Sequence, residues 1–143
     1  MSVPDIVIDT NVVIAALRSK NGASYKLLAL VGTKKFEIHD SVALILEYED
    51  VIQRQRAELG LSQEDVSVLI DSLCALASHH KIYFIWRPSL SDANDELILE
   101  LAISASCKYI VTHNISDFKG SEKFGITALT PAAFLEMIGE VKK

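Results

Sequence analysis

Acidic side chains stand at four places where an apolar run of this sequence stops or starts. Asp9 follows Ile6-Val7-Ile8, Glu47 lies in the apolar stretch after Ser41, Asp95 and Glu96 precede Leu97-Ile98, and Asp117 follows Tyr109-Ile110-Val111-Thr112. Three or four carboxylates gathered where water is scarce repel one another and hold their protons more tightly. A cation relieves that repulsion, and oxygen ligands select a hard ion such as Mg²⁺ or Mn²⁺. Such a centre suits phosphate-ester hydrolysis, because it lowers the pKa of an attacking water and stabilises the oxygens of an in-line displacement. The hydroxyls and amides of Thr10, Asn11, Thr112 and Asn114 lie beside these acids and can fix carboxylate rotamers or hold water.

These acids come from segments far apart in the chain, so the elements must bring them together. Ile6-Val7-Ile8 reads as a buried strand, and Asn11 to Arg18 as a helix ended by the turn Ser19-Lys20-Asn21-Gly22. Ala23 to Val31 is helical and closed by Gly32. Phe36 to His39 is a second strand, and Ser41 caps a helix from Val42 to about Arg56. Ser62, with Asp65 three residues on, opens a helix carrying Val66, Leu69, Ile70, Leu73, Leu76 and Ala77 inward. A third strand is expected at Lys81 to Trp86, ended by Arg87-Pro88, and a helix with Leu97, Ile98, Leu101, Ala102 and Ala105 inward follows Asn94. Strands at Tyr109 to Thr112 and Ile126 to Leu129 come next, then a helix opened by Thr130-Pro131. Strands alternating with helices imply a mainly parallel sheet of four to five strands between helical layers, a three-layer α/β/α sandwich. Its carboxyl ends share one edge, where ligands bind in such folds.

A chain of 143 residues, half of them hydrophobic and evenly spread, is expected to form a single domain over residues 1–143 with a sizeable core. No apolar run approaches the roughly 18 residues of a membrane span, and no basic-then-apolar leader is present, so a soluble cytoplasmic protein is expected. Cys74 and Cys107 share no metal-ligand spacing and read as buried free thiols. The net charge of -5 argues against broad attraction to nucleic acid, though not against a local basic rim.

The segments IVIDTNVVIAAL, RSKNGAS, SVALILEYEDVIQR, SDANDELILELA and YIVTHNISDF resemble the PIN-domain nucleases, within them the VapC-like toxin components of type II toxin-antitoxin systems. Together they span most of Ile6 to Phe118. The resemblance implies an α/β/α sandwich, a Mg²⁺ or Mn²⁺ site of three or four acids, and endoribonuclease activity on single-stranded RNA, often restrained by an antitoxin protein. It places the first acid at Asp9, the second at Glu47 and the third at Asp95 or Glu96. Helical register in related toxins favours Glu96, and aspartate identity favours Asp95. Many relatives carry an aspartate two residues after the strand-end threonine. Here that residue is Asn114, with Asp117 as the replacement that an N-x-x-D-F ending offers. Relatives often pair into dimers, and the helix opened by Ser62 is a candidate face for a homodimer.

Plainer readings compete residue by residue. Asp9 and Asn11 can cap a helix, Glu47 shares its helix with the acid run Glu49-Asp50, and Asp95 and Glu96 can answer the helix dipole. Asp117 can shape a turn, His113 reads as a bystander, and His79-His80 sit at an expected helix end without assigned chemistry. Among Arg18, Lys20, Arg54, Arg56 and Arg87, Arg54 and Arg87 are singled out for substrate phosphate. Two other functions stay open. One is a catalytically weak interaction module that keeps the fold. The other is a phosphate hydrolase of another doubly wound fold with Asp9 as nucleophile, disfavoured because position 11 is Asn rather than a second acid.

Overall fold

A computed structural model describes residues 3–81 and 93–140. The elements are β1 (Asp5–Ile8), α1 (Thr10–Arg18), α2 (Ala23–Ala29), β2 (Glu37–Ser41), α3 (Val42–Arg54), α4 (Arg56–Leu59), α5 (Gln63–Leu76) and β3 (Ser78–His80). They continue as α6 (Ala93–Ser104), β4 (Tyr109–Val111), β5 (Thr127–Leu129) and α7 (Pro131–Met137), with two 3-10 turns, Ile115–Phe118 and Ser121–Phe124, between β4 and β5.

The five strands lie in the order β3-β2-β1-β4-β5, every neighbouring pair parallel. Ile8 stands opposite Val111, and Val111 opposite Leu129, so β1, β4 and β5 finish in step. The central strand β1 buries Ile6 and Val7 completely, as a strand covered on both faces must. Helix α6 lies across β1, β2 and β4, while α1, α2, α3, α5 and α7 are joined through α1 with α2 and α3, α3 with α5, and α2 with α7. This is the expected three-layer sandwich. Phe36, just before β2, meets Phe134 of α7 edge to face at 5.5 Å, which closes the core at the opposite end from the acids.

Local chemistry sets the helix starts. Ser41 Oγ accepts from Leu44 N–H at 3.2 Å. Ser62 and Asp65 form a reciprocal capping box. Thr130 Oγ1 accepts from Ala133 N–H at 3.1 Å ahead of Pro131. Gly32 takes a φ of 86°, the left-handed conformation expected after the second helix.

Several boundaries differ from expectation: α2 stops at Ala29 rather than Val31, β2 runs Glu37–Ser41 rather than Phe36 to His39, and two further differences change an element. Helix α3 ends at Arg54 rather than Arg56, and α4 follows as a separate turn closed by Gly60 at φ 69°. The third strand is Ser78–His80, earlier than Lys81 to Trp86, and residues 82–86 fall outside the described chain. His79 and His80 therefore sit in an edge strand, not at a helix end. The reason is cross-strand pairing: His79 Nδ1–H donates to Asp40 Oδ1 at 2.5 Å, and His80 Nε2 meets His39 Nδ1 at 2.8 Å. Cys107 is buried, and burial pushes its thiol up to about 12, whereas Cys74 is only half-buried; both are free. Among the described residues no helix is long and apolar enough to cross a membrane.

Candidate metal centre

The carboxyl ends of β1 and β4 meet at Asp9. Its N–H donates to Val111 O at 2.9 Å, which carries the ladder one residue past β1. Asp9 occupies the N-cap position of α1, yet its side chain makes no capping bond. It turns instead towards β4, where Asp9 Oδ2 accepts from Thr112 Oγ1–H at 2.8 Å and from Asn11 Nδ2–H at 3.3 Å. Asn11 also accepts, through Oδ1, from His113 N–H at 3.2 Å, and Thr112 Oγ1 accepts from Asn114 N–H at 3.0 Å. Thr112 is wholly buried, and Asp9 is 8 % exposed. Burial raises the Asp9 pKa above its ordinary 3.8; the Thr112 hydroxyl and the Thr10 N–H pull it back, and the Asp117 charge pushes it up again.

Glu47 comes from the middle of α3 and accepts a hydrogen bond from the Thr10 hydroxyl. The next residue, Tyr48, is buried and donates its hydroxyl hydrogen to the Ile8 carbonyl. Burial raises the phenol well above its ordinary value, and the charges of Asp9, Asp40 and Glu47 add to the shift, so Tyr48 stays a donor. Two adjacent α3 side chains thus grip the residues on either side of Asp9.

An open cleft of about 520 Å³ lies over this junction, lined by Asp9, Thr10, Asn11, Glu47, Asn94, Asp95, Asn114 and Asp117, and further along α1 and α3 by Ile14, Ala15, Arg18, Val51 and Gln55. Four carboxylates from four elements therefore face one space. Asp95 faces it from the first turn of α6. Glu96, turned about 100° further round the helix, is 5 % exposed and does not line the cleft. Glu100, one turn on, is also buried and drew no attention in the sequence, although its four-residue spacing from Glu96 was a readable signal. Asp117 sits exposed on the first 3-10 turn with Asn114 at its head, and both line the cleft.

The substrate candidates fare differently. Arg54 is exposed, pairs with Asp50 one turn earlier and does not line the cleft. Arg87 and Asp92 lie outside the described residues. Arg18 is the cation that reaches the cleft, with its guanidinium donating to Gln55 Oε1. His113 pairs with Ser24 Oγ at 2.8 Å and ties α2 to the end of β4.

In kind, the donors fit a hard divalent cation: carboxylate, amide and hydroxyl oxygens, with Asp9 both desolvated and repelled by Asp117, the two penalties a cation would relieve. Among the described residues no three His, Cys, Asp or Glu side chains are already gathered closely enough to hold an ion.

Comparison with known proteins adds two findings. The family model described as PIN domain matches residues 5–116. Among solved structures, a chain of the crystal structure of VapBC2 from Rickettsia felis bound to a DNA fragment from their promoter superposes with a TM-score of 0.60. The match covers 88 % of this chain and 98 % of that one at 17 % sequence identity, a likeness of fold. Among curated proteins, none matches the chain.

Proposed function

Since the chain belongs to the PIN-domain family, we propose that it is a metal-dependent endoribonuclease which hydrolyses phosphodiester bonds of single-stranded RNA. The observation that carries this reading is the convergence of Asp9, Glu47, Asp95 and Asp117, from four elements, on one open cleft. Asp9 and Glu47 would hold Mg²⁺ or Mn²⁺, with Asp95 as the third acid, Asp117 as the fourth and Asn114 beside it. When bound, the ion supplies a water of lowered pKa and stabilises charge on the phosphate oxygens.

The chain's own residues do the rest. Thr112 and Asn11 hold Asp9 Oδ2 in one orientation, so the carboxylate does not have to be ordered during the reaction. Thr10 does the same for Glu47. Tyr48 fixes the carbonyl before Asp9 and with it the distance between β1 and α3. Glu96, buried in the first turn of α6, is the alternative third acid.

The fold likeness to a chain of VapBC2 is in keeping with a toxin restrained by an antitoxin protein, and the reading takes the chain as a single cytoplasmic domain. Purified protein should cleave labelled single-stranded RNA with Mn²⁺, and cleavage should vanish with chelator and in Asp9→Asn. Equal cleavage under all three conditions sinks the metal mechanism. No cleavage by any form, with no Mn²⁺-dependent rise in melting temperature, favours the interaction module instead.

A further inference from the structure

The cleft does not end at its acids. Asn11, Ile14, Ala15 and Arg18 share one face of α1, and Glu47, Val51 and Gln55 follow at four-residue steps along and just past α3. These two rows form a groove that leaves the acidic end and runs roughly 10 to 12 Å at the helical rise. Its middle is apolar, with Ile14, Ala15 and Val51. Its far end carries Arg18 and Gln55.

Charge separates this end from the rest. Among the described residues Arg18 is the only cation lining the cleft, and no carboxylate lies within 4.0 Å of its guanidinium. Its partner is a neutral amide, the Gln55 side chain, which orients the guanidinium without cancelling its charge. Arg54, the residue before Gln55, is neutralised by Asp50. In a chain of net charge -5, one guanidinium that is oriented and has no carboxylate partner among the described residues thus stands beyond an apolar strip that begins at the acidic centre. Phosphate recognition favours such a planar fork, and the face of a base can be buried against the aliphatic strip between.

We propose that the groove between α1 and α3 is a nucleotide-binding subsite: it seats the nucleotide next to the reacting phosphate against Ile14, Ala15 and Val51, and Arg18, aimed by Gln55, binds the following phosphate. The proposal rests on the nuclease reading and deepens it by adding a substrate site outside the acids. Arg18 is a binding residue and takes no part in the reacting atoms.

The test uses full-length protein and a short fluorescein-labelled single-stranded RNA of mixed sequence. Binding is read by anisotropy across a salt series in Asp9→Asn with chelator, and cleavage is read separately with Mn²⁺ in otherwise unaltered protein. Arg18→Gln should weaken binding about tenfold, the scale of one charge-assisted contact. It should also reduce the slope of log affinity against log salt by about 0.7, the contribution of one phosphate contact on a single strand. In cleavage KM should rise with kcat within about twofold. Arg18→Lys should keep the salt slope while losing part of the affinity, and Arg54→Gln should change neither. If the wild type cleaves while Arg18→Gln keeps full affinity and slope, the groove proposal is overturned alone. A wild type that neither binds nor cleaves the RNA overturns the groove and the nuclease reading together.

Discussion

Thr112 donates its hydroxyl hydrogen to Asp9 Oδ2 across 2.8 Å, joining the end of β4 to the end of β1. The same oxygen of Thr112 accepts from the Asn114 N–H, so one buried hydroxyl links the first acid to the turn that carries the fourth. Thr112→Val keeps the shape and removes both bonds, together with the longer one that Asn11 Nδ2–H donates to the same hydroxyl at 3.4 Å. The loss of a hydrogen bond to a buried carboxylate should cost about 1.5 to 3 kcal/mol, read by urea denaturation at neutral pH.

That substitution also has a pH signature. Thr112 lowers the Asp9 pKa against the upward push of burial, so removing it moves the Asp9 pKa further up. Cleavage that needs an ionised Asp9 should then lose its acid limb at higher pH than in the wild type. A Thr112→Val profile superimposable on the wild-type profile would show that Asp9 ionisation does not limit activity.

Asp9 itself is held at a cost to stability. A carboxylate whose folded pKa is raised favours the folded state below its ordinary 3.8, and this advantage is lost as pH rises through the folded value. At neutral pH the charged form is therefore a burden, and in chelator Asp9→Asn should melt at a higher temperature than the wild type. With Mn²⁺ at about 100 times its dissociation constant, the wild type should gain about 2.7 kcal/mol, roughly 10 °C. Asp9→Asn should gain far less. The two melts cross only if Asp9 is a ligand, because Asn caps a helix about as well as Asp and a capping role would leave the Mn²⁺ gain equal in the two proteins.

Tyr48 tests whether the spacing of α3 and β1 matters to the site. Tyr48→Phe removes only the hydroxyl that reaches the Ile8 carbonyl, in a buried setting. A loss of about 1 to 2 kcal/mol in denaturant is expected. If Glu47 depends on that anchor, Mn²⁺ affinity measured by calorimetry should fall as well. A stability loss with unchanged affinity would confine Tyr48 to the core.

Features encoded within a few residues were legible in the sequence, and features set by tertiary contact were not. Ser41, the Ser62–Asp65 box and Thr130-Pro131 mark helix starts by bonds closed three residues away. The Ile6-Val7-Ile8 run announces a strand buried on both faces, and the convergence of the acids followed from the parallel sheet. Asp95 and Glu96 differ by one step of about 100° round α6, and only the way α6 lies across β1, β2 and β4 turns Asp95 to the cleft. β3 is an edge strand of three residues without an apolar pattern, fixed by histidine pairs to β2. Arg54 stays off the cleft for a readable reason: Asp50 stands four residues before it, the spacing of a helical ion pair. That Arg18, one of the five basic residues the sequence offered, lines the cleft needed the structure, because the packing of α1 against α3 brings it there.

The histidine pairs at β3 give the fold an acid sensitivity separate from the acidic centre. Asp5 Oδ1 lies 2.8 Å from His39 Nε2, and His39 Nδ1 lies 2.8 Å from His80 Nε2, while His79 donates to the buried Asp40. These contacts join Asp5, His39 and His80 in one chain. Burial lowers the His80 pKa below its ordinary 6.5, nearby His39 and then His79 lower it further, and Asp40 opposes them. The unfolded chain takes up a proton on His80 at a pH where the folded chain still refuses it. The stability this contributes is complete above pH 6.5 and is lost as pH falls through the folded pKa. Asp40 works in the other direction and in a lower window: burial raises its pKa above 3.8 despite the His79 bond, so it favours the fold only towards stronger acid. On going from about pH 7.5 to about pH 5.5 the wild-type melting temperature should fall, and His80→Gln, which cannot take the proton, should fall less. Parallel melting curves for the two proteins over that range would remove His80 as the source of the acid sensitivity.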